Sequence, residues 1–83
     1  MNETQIEALA VQIDEFLYNW DWYSYQDALT GTREDNVEST KADLLNGNTT
    51  HIKACLTDIA EEAEDPDDIK EVNDILEKLA KVA

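Results

Sequence analysis

The chain reads as all-α, a compact bundle of about four helices, and three observations predict it. In its helical segments apolar side chains recur three and four positions apart, the spacing that lines up one face of a helix. Short stop-and-restart signals, Asn46-Gly47-Asn48-Thr49 and Asp65-Pro66-Asp67-Asp68, stand between segments in place of Gly-rich or Pro-rich linkers. With 83 residues, 42% of them hydrophobic and no internal repeat, there is room for one core and one domain, residues 1–83. No segment is long enough to be a stable helix by itself in water, so the apolar faces are expected to close on one another.

The first helix is predicted from about Glu3 to Trp20. Ile6, Leu9, Ala10, Ile13, Phe16, Leu17 and Trp20 form its stripe, while Gln5, Glu7, Gln12, Asp14 and Glu15 are expected off it. Glu3 sits where the helix dipole is positive. The stretch that follows, Trp20 to Asp27, holds both tryptophans and two of the three tyrosines, the largest apolar groups in the chain. Asp21 and Ser24 are short acceptors suited to capping a new turn, so a break and restart is expected. Extended, this stretch would put Tyr23, Tyr25 and Asp27 on one face; helical, it would stack Tyr23 and Asp27 one turn apart.

Thr32 with Asp35 resembles a capping box, and the second helix is predicted from about Arg33 to Asn46. Its stripe is the weakest of the four, with Val37, Leu44 and Leu45 inward and Thr40, Lys41 and Ala42 between faces. Gly47 then supplies a left-handed residue, and Thr or Asn caps the next helix. So short a connection predicts antiparallel packing of its two helices. The third helix, about Thr50 to Glu64, carries Ile52, Cys55, Leu56, Ile59, Ala60 and Ala63. In the fourth, Pro66 to about Lys81, Asp65 is the cap, proline occupies the first turn, and Asp67 and Asp68 face the positive end. Ile69, Val72, Ile75, Leu76 and Leu79 make its stripe, with Lys78 and Lys81 near the negative end.

Twenty acidic side chains against six Lys and Arg give a net charge of −14. That field opposes direct binding to nucleic acid, which requires cations that displace phosphate counterions, and opposes anionic lipid equally. It points instead to a protein partner with a basic surface, to a metal cation, or to a coat that merely keeps the chain in solution. The start of the chain lacks the cationic and apolar runs of a signal peptide, and no apolar stretch approaches the roughly 20 residues of a membrane span. A single cysteine, Cys55, forms no intramolecular disulfide and fits a reducing compartment, so a cytoplasmic location is expected.

Reactive machinery is sparse. His51 and Cys55 lie four apart on one helix, but two ligands do not complete a zinc site, and a thiol within an apolar stripe is silenced by burial. Asp58, Glu61, Glu62, Glu64, Asp65, Asp67 and Asp68 form a dense acidic run. It contains no glycine of the kind a calcium-binding helix–loop–helix needs for its bend, and several members already serve as cap or solvent face. Carboxylates ordered along a ridge imitate a DNA backbone, the device of acidic nuclease inhibitors. Trp22 and Tyr25 fall beyond the stripe of Phe16 and Trp20, so they either close one end of the core or anchor an interface.

Tyr23-x-Tyr25-x-Asp27, the acidic helix bearing Val37, and Leu45-x-Gly47 followed by Ile52 and Leu56 together resemble a small helical domain found within large polyvalent proteins of Firmicutes conjugative elements and phages. The resemblance spans roughly residues 6–60 and leaves out the fourth helix. Such domains sit beside modules such as antirestriction proteins and have no assigned activity, so the resemblance implies a mobile-element context and no mechanism. The expectation is a non-enzymatic protein-binding module without cofactor or metal, and the alternative is a DNA-mimicking inhibitor of a nuclease or DNA-binding protein. The candidate contact residues are Trp22, Tyr23, Tyr25, Asp27, Glu61, Glu62, Glu64, Asp67 and Asp68.

Overall fold

A computed structural model describes residues 2–20 and 33–82, which form four helices and no strand. α1 (Glu3–Asn19) starts at a reciprocal cap: the Gln5 amide donates to Asn2 Oδ1 at 2.8 Å and the Asn2 amide to Gln5 Oε1 at 3.0 Å. Two of the backbone donors at the helix start are satisfied in this way. Ile6, Leu9, Ala10, Ile13, Phe16 and Leu17 are buried as the stripe predicts, and Trp20 is half-buried against them. Asp14 corrects the expectation. It is only 2% exposed, because it stands four residues after Ala10 and three before Leu17, within the stripe.

α2 (Arg33–Leu45) ends one residue before the expected Asn46. Leu44 is 1% exposed and Val37 packs on the core, but Leu45 is 53% exposed and does not point inward. At about 100° per residue, Leu44 returns to within about 20° of Val37, whereas Leu45 lies about 80° round the helix. The stop is a Schellman turn in which the Asn48 amide donates to the Asp43 carbonyl at 2.8 Å and the Gly47 amide to that of Leu44 at 3.1 Å. Gly47 takes φ +72°, the left-handed value the motif requires.

α3 (Thr50–Glu62) stops two residues before the expected Glu64, where Ala63 turns extended at ψ 132°. Thr49 occupies the cap position, but its side chain makes no capping hydrogen bond; the residue is buried at 7% exposure. Ile52, Leu56 and Ile59 are buried, and Cys55, Ala60 and Ala63 are half-buried at the edge of that stripe. α4 (Pro66–Ala80) begins as predicted, with Asp65 Oδ1 accepting from the Asp67 amide at 2.9 Å and proline in the first turn. Val72, Ile75 and Leu79 are fully buried, and Ile69 and Leu76 are half-buried.

α1 is the centre of the packing. It lies against α2 on one side and α4 on another, and α4 packs on α3. The α1–α2 pair is closed by Lys41, whose Nζ sits 3.4 Å from Glu3 Oε1 with the lysine side chain 16% exposed. The expected side-by-side packing of α2 with α3 does not form. Val37 and Leu44 are the main apolar groups α2 offers, and α1 already covers that face. The radius of gyration, 12.0 Å, matches the roughly 12 Å of a compact chain of this length. No helix of the described residues is long and apolar enough to cross a membrane. The aromatic stretch from residue 21 onward and the Thr32 cap lie outside the described residues.

Candidate functional site

The direction of α4 along α1 follows from two contacts one turn apart. Gln12 of α1 meets Asp74 and Lys78: its Nε2 donates to Asp74 Oδ2 at 3.2 Å, and Lys78 Nζ donates to its Oε1 at 3.0 Å. Lys78 also pairs with Asp74 at 3.0 Å, closing a triad. Further along α1, Phe16 and Trp20 lie beside Asp68 and Glu71, which precede Asp74. Advancing along α1 therefore means retreating along α4, and the two helices are antiparallel.

This pairing brings the C-terminal end of α1 beside the N-terminal end of α4 and leaves an open groove of about 410 Å³ between them. Glu15, Asn19, Asp68 and Glu71 line it with polar groups, over the largely buried rings of Phe16 and Trp20. The volume falls within the roughly 300–1,000 Å³ of small-ligand sites. Its electrostatics favour a cation. Three carboxylates line it, no lysine or arginine is among the described lining residues, and α1 carries no basic residue in its last turn to offset the negative end of its dipole. The positive end of α4 is met by Asp67 and Asp68. Trp20 Nε1 is buried and has no hydrogen-bond acceptor among the described residues.

Of the candidate contact residues, Glu61 and Glu62 are exposed on the last turn of α3, Glu64 is exposed in the connection, and Asp67 is exposed on the first turn of α4. They flank the short connection between α3 and α4. Asp68 is half-buried and belongs to the groove. Trp22, Tyr23, Tyr25 and Asp27 lie outside the described residues. Reading the chain by local spacing missed Glu15 and Glu71, since nothing in spacing brings positions so far apart together.

His51 and Cys55 do meet, with Sγ 3.8 Å from Nε2. Burial, and secondarily the carboxylate of Asp58, pushes the Cys55 thiol above its ordinary range, opposite to the activation a nucleophile needs. Among the described residues no group of three or more His, Cys, Asp or Glu is arranged to hold a metal ion. No family model, curated protein or solved structure matches the chain.

Proposed function

We propose that this chain is a non-enzymatic binding module whose partner is a protein with a basic surface. The observation that carries the reading is the continuous set of exposed carboxylates running from Asp58, Glu61 and Glu62 on α3 through Glu64 and Asp65 to Asp67 on α4. On so small a body at −14, such a face attracts cationic surfaces and speeds their encounter. A cytoplasmic setting and a mobile-element origin accord with the single cysteine and with the resemblance of residues 6–60.

The same face favours a second reading, mimicry of DNA toward a nuclease or DNA-binding protein, because a run of exposed carboxylates offers charge to a groove built for phosphates. One experiment separates the two. Glu61→Gln/Glu62→Gln/Glu64→Gln/Asp67→Asn is compared with the unaltered chain for binding to a lysine-rich peptide and for displacement of DNA from basic DNA-binding proteins. Peptide binding lost in the variant, without displacement, supports the module; displacement lost in the variant supports mimicry. Binding that survives both neutralisation and high salt contradicts both.

A further inference from the structure

We infer that the α2–α3 turn at Gly47 is a hinge through which two copies of this chain exchange their α3–α4 pairs, with α2 and α3 of each copy joined into one helix from Arg33 to Glu62. The break between the two helices is small. The Asn46 amide still donates to the Ala42 carbonyl at 3.1 Å, so the α2 ladder runs through Asn46. Thr49, at φ −110° and ψ −2°, already has right-handed helical backbone. Gly47, at φ +72°, is the left-handed residue that turns the chain.

The facing ends of the two helices complement each other. Thr49 gives α3 no side-chain cap and the first turn of α3 holds no acidic residue, whereas Asn2 caps α1 and Asp65 caps α4. The last turn of α2 holds no basic residue. A continuous helix gives the first amides of α3 to the last carbonyls of α2 and cancels both dipole ends. It gives up the two hydrogen bonds of the Schellman turn and no packed helix pair, because α2 does not lie side by side with α3. The joined helix is about 45 Å long. That exceeds the 33 Å of the whole folded chain, so α4 is carried away from its own α1, and Val72, Ile75 and Leu79 lose their cover. The face that fits them is α1 of a second copy, where the Gln12–Asp74–Lys78 triad re-forms between chains. Like charge, −14 on each copy, opposes the encounter, so added salt favours exchange.

The test compares the full unaltered chain with Gly47→Ala and with D-alanine at position 47, at about 0.15 M salt. A Cβ at Gly47 meets nothing within 4 Å, so both variants fold. Each is unfolded in urea, refolded at concentrations up to about 1 mM and sized by sedimentation. L-alanine is penalised in the left-handed turn and favoured in the helix, once for each chain of the dimer. Gly47→Ala is therefore expected to dimerise at least about thirtyfold more tightly than the unaltered chain, and D-alanine, which keeps the turn, is expected not to. In dimers refolded from equal parts of isotope-labelled and unlabelled chain, the contact between the Gln12 and Lys78 side chains should run from one chain to the other. Gly47→Ala that stays monomeric throughout, D-alanine that dimerises as tightly, or dimers in which Gln12 and Lys78 meet only within one chain would each overturn the exchange.

Discussion

Leu44 and Leu45 are adjacent, chemically identical and on one helix, yet one is 1% exposed and the other 53%. Replacing each by alanine therefore makes burial the main difference between two identical substitutions at the end of one helix. Leu44→Ala removes a buried side chain and leaves a cavity, at a cost of about 2–5 kcal/mol. Leu45→Ala removes at most half a leucine's buried surface and leaves no enclosed void, so the transfer cost of about 1.5–3 kcal/mol for a whole side chain shrinks to about 0.7–1.5 kcal/mol. A domain of this size has a total stability of only about 4–12 kcal/mol, so Leu44→Ala removes a substantial part of it. Urea titration followed by helical circular dichroism measures both variants, with the slope of the transition checked for constancy. Equal losses at the two positions, or a larger loss at Leu45, would refute the assigned orientation of α2 and its seating on α1.

Three further outcomes follow from particular residues. Gly47→Ala places a Cβ with nothing within 4 Å, so only the left-handed backbone matters; a net loss of about 1 kcal/mol is expected, read as a melting temperature lower by about 4–8 °C, and D-alanine at the same position should not show it. The hydrogen bonds from Lys78 and then Gln12 hold the Asp74 carboxyl below its ordinary range. Its contribution is therefore present above the unfolded-state pKa and lost as pH falls through the lower folded value, and Asp74→Asn should flatten that acidic part of a stability-against-pH curve. Lys41 is the reverse case. The Glu3 carboxylate raises it, so its contribution holds below its unfolded pKa and is lost as pH rises through the folded one, a loss that Lys41→Met should remove. Finally, with −14 on one small domain, the melting temperature should climb as salt rises from about 0.01 to 0.1 M and the Debye length falls from about 30 to 10 Å.

Where one helix face is strongly apolar, local spacing was enough to read it. The stripes of α1 and α4, the Gly47 turn and the Asp65-Pro66 start are all found where the pattern puts them. Asp14 was also legible, since its offsets from Ala10 and Leu17 place it inside the stripe, but residue polarity outweighed position in the reading. α2 is harder to read because two apolar side chains do not fix a face, and the adjacent Leu44 and Leu45 turn to opposite environments. The α2–α3 connection misled for a related reason: a short turn sets how far apart two helix ends are, while packing is decided by which apolar faces remain uncovered. The groove was beyond local pattern altogether. Glu15 and Glu71 come to line one groove only through the antiparallel seating of α4 on α1, which depends on how two stripes interlock and on the Gln12–Asp74–Lys78 triad.

Binding a basic partner as proposed requires the acidity to act as one recognition face rather than as a uniform coat, and α2 provides the internal control. Glu34 and Glu38 are exposed there, on a helix that the proposed contact does not use. Amide chemical shifts recorded while a lysine-rich peptide is added tell the two arrangements apart. Changes concentrated from Asp58 to Asp67, with α2 little altered, are expected. Changes of equal size along α2, or none at either place, would contradict a single recognition face.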